Sequence, residues 1–168
     1  MQVNDTLCEL FGRIAPLVGE VVDGLDEEAL TAAPAGVGNP VGGLVWHLTR
    51  VQDHHVAELL GEAQVWESGD WAKRFGLAPD PSNTGYGHSA EEVAAVRPES
   101  ADVLIEYHAA VATRTLAYLR TLAPDDLDRI VDRRWDPPVT LGVRLVSIAD
   151  DDLQHVGQAA YARGVLDR

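Results

Sequence analysis

Two ionisable side chains lie four residues apart near the end of the sequence. Asp151 and His155 would therefore lie on the same face of a helix. Leu145, Ile148 and Gln158 continue that face at similar steps, so the pair interrupts an inward-facing stripe. A buried carboxylate without a partner is costly, and a divalent metal ion would remove that cost. On spacing alone, an ordinary hydrogen-bonded core contact remains the simpler interpretation.

A further ligand is available on an earlier helix. His47 falls on a stripe with Leu44, Val51, His54 and Glu58, which also predicts an inward position. Two histidines and one carboxylate on facing helices can bind one side of a divalent ion and leave other positions for water or substrate. Periodicity does not separate His47 from His54. The two nitrogens and one oxygen suit zinc, and they also fit nickel, iron or manganese.

Other polar residues are candidates for supporting roles. His54 and His55 follow His47 by seven and eight residues, so one of them could be a fourth ligand or a proton-transfer group. His108 could orient a group near the metal, and Gln158 could hydrogen-bond a ligand. For each of these residues, a structural role in the wall or core of the protein is the simpler interpretation.

The elements that must position these residues are helices. Apolar residues recur with helical spacing in four long segments, at about 4–24, 40–61, 101–123 and 140–163. Pro16 interrupts the first segment and could kink it. Pro40 suits a first helical turn and Gly61 a helix stop; Thr140 and Gly164 would begin and end the last helix. The pattern predicts an all-α four-helix bundle, formed as one domain by residues 1–168.

Residues 62–99 form one long connection between the second and third helices. Their glycines and prolines predict an irregular path. Four aromatic residues provide apolar anchors: Trp66, Trp71, Phe75 and Tyr86. Ser89 and Glu92 have the spacing of a capping box and predict a short helix. The stretch from Trp66 to His88 would cover one end of the bundle and shape a substrate pocket, with His88 either in the lid or simply exposed.

Composition excludes several classes of function. The formal net charge is −14, from 13 basic and 27 acidic residues, and no basic cluster appears, so nucleic acid is not an expected partner. No run of eighteen apolar residues predicts a membrane span, and the N-terminus does not resemble a secretory signal. The single cysteine, Cys8, excludes an intrachain disulfide. We therefore expect a cytoplasmic protein.

Several motifs resemble the DinB-like superfamily. They lie at residues 43–48, 85–89, 135–144 and 151–158. The last motif, in which Gly157 and Gln158 follow the Asp151–His155 pair, is the most informative. The closer similarity is to the actinobacterial branch that includes mycothiol-dependent enzymes, and it covers nearly the whole chain.

This resemblance implies a four-helix bundle with a metal triad. One ligand comes from the second helix and two come from the fourth, which by position are His47, Asp151 and His155. Many members of the superfamily have histidine where this chain has Asp151, whereas mycothiol-dependent maleylpyruvate isomerases have glutamate there. The carboxylate thus points toward the thiol-dependent branch. Those isomerases continue into an additional C-terminal domain, so we do not expect this chain to be one of them.

The resemblance also implies a reaction. A metal-bound low-molecular-weight thiol, mycothiol above all, would become a thiolate and attack a small electrophile, in an S-transferase or isomerase. Two other classes stay open: a non-catalytic metal- or ligand-binding bundle in stress response, and a metal-dependent hydrolase that uses a metal-bound water. An exposed apolar stripe on an outer helix could support a homodimer.

Overall fold

The computed structural model describes residues 2–166. The helices in this range are α1 (Val3–Gly12), α2 (Ile14–Val22), α3 (Glu27–Thr31), α4 (Val41–Leu60), α5 (Trp71–Arg74), α6 (Ala90–Ala95), α7 (Ala101–Leu119) and α8 (Leu141–Leu166). Short 3₁₀ turns lie at Pro34–Gly36, Val65–Glu67 and Pro124–Asp128. Two short antiparallel strands, β1 (Ile130–Asp132) and β2 (Val139–Thr140), precede α8. None of the helices described is both long enough and apolar enough to cross a membrane.

The predicted all-α bundle is confirmed. Helix α4 packs most extensively against α8 and also contacts α7, while α2 contacts both α7 and α8 from the other side. The α1–α2 pair therefore takes the place of the fourth helix of the bundle. Residues 61–100 make the long connection between α4 and α7, as the sequence predicts, and this connection contains α5 and α6.

The first predicted helix is broken into α1 and α2. The break falls at Arg13, three residues before Pro16. Proline has no backbone N–H, so Pro16 cannot bond to the carbonyl of Gly12, and it is accommodated in the first turn of a new helix. The interruption predicted from Pro16 thus occurs one turn upstream of the proline.

Helix α8 continues beyond its predicted stop. The hydroxyl of Thr140 accepts the Val143 N–H at 3.4 Å, in agreement with the predicted start. Gly164 lies inside the helix, which runs to Leu166. A glycine inside a helix costs only about 1 kcal/mol, and Leu166 packs against the core, so the helix extends past it.

The buried face of α8 is shifted by one residue from the predicted stripe. Asp152 is fully buried, together with Ile148 and Val156, whereas Asp151 and His155 are half-buried at the edge of that face. Alanines at 149, 159 and 162 complete the core face; they carry a weak hydrophobic signal, which explains the shift. Burial raises the pKa of Asp152 well above its usual value.

The inward stripe predicted for α4 is displaced in the same way. Its core positions include Leu48, Thr49 and Val56, while His47 and His54 are half-buried beside them and Glu58 is exposed. His47 therefore lies at the boundary between the core and the surface. A ligand in this position can contact both a buried helix and a solvent-accessible cavity.

A buried arginine fastens the long connection to α4. The Arg50 guanidinium, which is 0% exposed, donates from Nη2 to the Pro81 carbonyl at 3.0 Å and from Nε to the Asn83 carbonyl at 3.1 Å. Its Nη1 donates to Oε1 of Gln64 at 2.7 Å. Because Arg50 lies one turn after His47, these bonds hold residues 81–83 near the end of α4 that carries His47.

A buried carboxylate completes this network. Asp53, at 1% exposure, accepts the N–H groups of Val65 and Trp66 at 2.9 and 2.8 Å and the hydroxyl of Tyr107 at 2.7 Å. The Arg50 guanidinium lies 3.5 Å from the same carboxylate and 4.6 Å from the centroid of the Trp66 ring. The polar atoms of Arg50 and Asp53 thus have almost all of their hydrogen-bond partners within the protein.

The aromatic anchors of the connection are only partly as predicted. Trp66 and Phe75 are buried at 1% and 0% exposure, and Trp71 packs against the core. Tyr86 is 91% exposed, so the prediction was wrong for that residue. It lies between two glycines with positive φ, and the turn they form directs it outward.

Residues 133–138 connect the two strands of a small antiparallel ribbon. Strand β1 pairs with β2, with Ile130 opposite Thr140. Strands of two or three residues are too short to show an alternating sequence pattern, and so the ribbon was not predicted.

His108 is a buried histidine in the core between α4 and α7. The Thr49 hydroxyl donates to the Val45 carbonyl at 2.9 Å, so the Nδ1–H of His108, 3.2 Å from that hydroxyl, must donate to it. Burial lowers the pKa of His108 from 6.5 to about 4. The folded protein therefore holds this ring neutral in a range where an unfolded chain would protonate it.

We expect acid to destabilise the protein through His108. The pKa of His108 is lower in the folded protein than in the unfolded chain. The stability that the neutral ring contributes is therefore complete above pH 6.5. It is lost as the pH falls toward 4, at up to about 1.4 kcal/mol per pH unit. Urea unfolding of wild type and His108→Gln at pH 7 and pH 5 would measure the difference. His54→Gln is the matched control and should keep the wild-type dependence; an unchanged dependence in His108→Gln would contradict the assignment.

Candidate metal centre

Three predicted ligands come together where α4 faces α8. The Nε2 atoms of His47 and His155 lie 4.0 and 3.5 Å from the same oxygen, Oδ1 of Asp151. The two imidazole rings meet edge to face with centroids 4.6 Å apart. One donor atom from each residue lies within 4.8 Å of the other two. Because metal–ligand distances to nitrogen and oxygen are about 2 Å, one ion could contact all three.

Hydrogen bonds set the tautomers of both histidines. Nδ1 of His47 is 2.6 Å from the carbonyl oxygen of Thr84, which can only accept, so Nδ1 carries the proton. Nδ1 of His155 likewise lies 2.9 Å from Oε1 of Gln158. In its neutral form, each ring therefore has its lone pair on Nε2, the nitrogen nearer Asp151. Metal-binding histidines are held in this way, with the other ring nitrogen donating to an oxygen.

Asp151 contributes the observation that bears most directly on a metal. Its Oδ2 atom is buried and has no hydrogen-bond partner within residues 2–166. A buried oxygen without a partner calls for an explanation, and a cation shared with the two lone pairs of the histidines provides one. The donor set thus fits a divalent metal ion.

The surroundings shift the pKa values of His47 and His155 in opposite directions. Burial lowers the pKa of His47, and this effect outweighs the hydrogen bond to Thr84 and the charge of Asp151, which act in the opposite direction. The hydrogen bond to Asp151 raises the pKa of His155 above its usual value. In the protein without metal, Nε2 of His155 therefore favours the protonated form that pairs with Asp151, and a bound metal ion would replace that proton.

A cavity of about 330 Å³ opens beside the three residues. Its far wall includes Val93, Val96 and the turn at residues 85–88. Gly85 brings this turn close to α4: with φ at +88°, a Cβ there would lie 2.8 Å from the Trp46 ring and 2.9 Å from Nδ1 of His47. Only glycine permits that approach without displacement.

A groove continues from the cavity. It runs between residues 34–38 and the second half of α8, with a volume of about 660 Å³, and it shares Asn39 and Leu44 with the cavity. Val37 and Tyr161 on its sides are largely exposed, at 92% and 77%. Among residues 2–166, none of those that line the groove is charged, which is notable for a chain with a net charge of −14.

The other candidate residues do not join the triad. His54 and His55 lie with Glu58 in a separate group. Nε2 of Gln64 donates to Nδ1 of His54 at 3.1 Å, so the proton of His54 is on Nε2, and that atom is not available to a cation. Arg144 lies 3.5 Å from His55; burial and this positive charge lower the pKa of His55 to about 4. The positive charge of Arg144 beside His55 therefore disfavours a second cation in this group.

Sequence reasoning missed one residue that contacts a candidate ligand and named another as a candidate. Thr84 acts through its main-chain carbonyl, which no side-chain pattern reveals. The predicted hydrogen-bonding role of Gln158 corresponds to its contact with His155. His108, proposed to orient a group near the metal, is bonded instead to Thr49 in the core.

Comparisons with known proteins agree with this architecture. Residues 15–168 match the family model described as mycothiol-S-transferase. The crystal structure of a conserved protein from Enterococcus faecalis is 32% identical, with a TM-score of 0.89, covering 98% of this chain and 97% of the other. A search of curated proteins gave no match. Because the family model spans nearly the whole sequence, the chain belongs to the mycothiol-S-transferase family.

Proposed function

We propose that this protein is a metal-dependent S-transferase that joins mycothiol to a small electrophile. Membership of the mycothiol-S-transferase family supports the choice of thiol. The single observation that carries the metal dependence is the approach of Nε2 of His47 and Nε2 of His155 to the same oxygen of Asp151, whose second oxygen is buried without a partner within residues 2–166. The cavity beside these residues supports a site open to substrate, since a purely structural metal site needs none.

His47, Asp151 and His155 would hold the ion. When bound, such an ion lowers the pKa of a coordinated thiol and so favours the nucleophilic thiolate at neutral pH. Thr84 and Gln158 would keep the two imidazoles in the required tautomer and orientation. The donor set suits zinc, and nickel, iron and manganese are the other metals to be tested.

The cavity and the groove suggest where each of the two substrates binds. The cavity, at about 330 Å³, is within the range of small-molecule sites and adjoins the candidate ligands, so it would take the thiol end of mycothiol. In the part of the chain that the structure describes, the groove has no charged lining residue. We infer that it accepts an uncharged, largely apolar electrophile, because a charged group would lose hydration there without gaining an ionic partner.

A panel of thiols, electrophiles and metals would test the proposal. The protein, stripped and reloaded with zinc, nickel, iron or manganese, would be incubated with mycothiol, glutathione or cysteine. Each mixture would contain an uncharged electrophile or an anionic analogue of similar size, and conjugates would be quantified by mass spectrometry. We expect conjugation to require metal and to be fastest with mycothiol and the uncharged electrophile.

Other outcomes would favour the other classes. Equal conjugate yields with the stripped and the reloaded protein would exclude metal-dependent transfer. Thiol-independent hydrolysis of ester or amide probes would favour a hydrolase. Tight metal binding with no turnover of any pair would favour a non-catalytic bundle.

A further inference from the structure

His88 lines the same cavity as the candidate metal ligands but is not one of them. Its ring stacks on the indole of Trp46, with centroids 5.8 Å apart and planes inclined by 26°. Trp46 is 1% exposed, so the imidazole rests on a buried and well-packed surface. His88 itself is half-buried, which leaves part of its ring accessible from the cavity.

Asn83 determines which nitrogen of His88 carries the proton. The side-chain oxygen of Asn83 accepts the Gly85 N–H at 3.3 Å, and this contact identifies the atom as oxygen rather than nitrogen. The same oxygen lies 2.8 Å from Nε2 of His88. An amide oxygen can only accept, so Nε2 must be the protonated nitrogen. Nδ1 of the neutral ring therefore has a lone pair, and no hydrogen bond from the described residues reaches it.

The local backbone holds this arrangement in place. The His88 N–H donates to the Gly85 carbonyl at 3.3 Å, closing a turn in which Gly87 has φ +72°. Arg50 in turn binds the main-chain carbonyl of Asn83. The imidazole is thus fixed in tautomer, in plane and in position relative to the cavity.

We propose that His88 is the proton acceptor for the thiol, an inference that rests on the proposed function. The S–H bond of the bound thiol breaks, its electron pair stays on sulfur, and the proton moves to Nδ1 of His88. The sulfur then forms a bond to the electrophilic atom as the leaving group departs with its bonding pair. The leaving group takes the proton from His88, which returns to its neutral form.

Proton release on thiol binding provides a test that does not depend on turnover. Mycothiol would be titrated into the zinc-loaded protein by calorimetry at pH 7 in buffers of different ionisation enthalpy; a thiol is mostly protonated at this pH. Wild type should release fewer protons per bound thiol than His88→Gln, because part of the proton lost by the thiol stays on His88. His54→Gln, which alters a histidine outside the cavity, should behave like wild type.

A comparison of two thiols separates proton transfer from a structural role. His88→Gln should slow conjugation of mycothiol by about 100-fold, a typical loss for a general base. With 2-nitro-5-thiobenzoate, an aromatic thiol already ionised at neutral pH, the same variant should lose less than about 3-fold, since general-base assistance acts only where a proton is transferred. Equal slowing with both thiols would overturn the inference.

The tautomer can be measured directly in the metal-free protein. Nitrogen-15 NMR should place the proton of His88 on Nε2 in wild type, and Asn83→Leu should produce a mixture of both tautomers. A proton on Nδ1 in wild type would refute the assignment. Equal proton release by wild type and His88→Gln would overturn the inference and leave the proposed function intact, whereas failure of mycothiol to bind would overturn the proposed function itself.

Discussion

Replacing His155 by alanine should weaken divalent metal binding by more than about 100-fold. Loss of an outer hydrogen-bond partner alone typically costs about 10–100-fold in metal affinity, and removal of a ligand should cost more. His155→Ala would also leave Asp151 without the imidazole nitrogen now 3.5 Å from its Oδ1. Competition with a chromophoric zinc chelator would measure the affinity, and elemental analysis the content of the purified protein.

Two matched variants would rank the contributions to the site. Gln158→Leu removes the oxygen 2.9 Å from Nδ1 of His155, and we expect a loss of about 10–100-fold. His54→Gln should leave the affinity unchanged, because His54 bonds to Gln64 outside the triad. If His155→Ala retained its full metal content with normal helicity, the triad would have to be abandoned.

Replacing Asp53 by alanine should destabilise the fold by about 3–5 kcal/mol, the usual cost of breaking a buried ion pair from one side. The substitution leaves the fully buried Arg50 without its carboxylate. It also removes the acceptor for the backbone N–H groups of Val65 and Trp66 and for the Tyr107 hydroxyl. Unsatisfied buried donors add their own desolvation penalty.

Urea unfolding followed by circular dichroism would measure this loss. Glu99→Ala is the matched control, because it breaks an ion pair with Arg74 in which the glutamate is half-exposed. Exposed pairs contribute about 0–1 kcal/mol, so the control should differ little from wild type. A loss below about 1 kcal/mol in Asp53→Ala would mean that the network contributes specificity of packing rather than stability.

Helical periodicity was sufficient to predict the bundle but not the exact faces of its helices. The spacing of Asp151 and His155 correctly indicated a shared face, because residues four apart adjoin on any helix. It did not distinguish a core position from an edge position. Asp152, one residue away, is the carboxylate in the core, and the alanines around it gave too little hydrophobic contrast to reveal this.

The parts of the candidate site that depend on the long connection could not be predicted. Thr84 contacts His47 through a carbonyl group, and the position of that group depends on loop geometry rather than residue type. The buried Arg50 reads in the sequence as an ordinary surface residue on α4. Its partners on the connection follow it by 14 to 33 residues, which is beyond the reach of any local pattern.

The attachment of the loop at residues 81–84 has a consequence for how the sequence of this loop could vary. Arg50 and Gln64 bind the Pro81 carbonyl, Arg50 also binds that of Asn83, and His47 bonds to that of Thr84. All of these anchors end on main-chain oxygens, which every amino acid supplies. Changes of the side chains at positions 82 and 84 would therefore leave these anchors in place, so that the sequence of the loop can vary while its path past His47 stays constant.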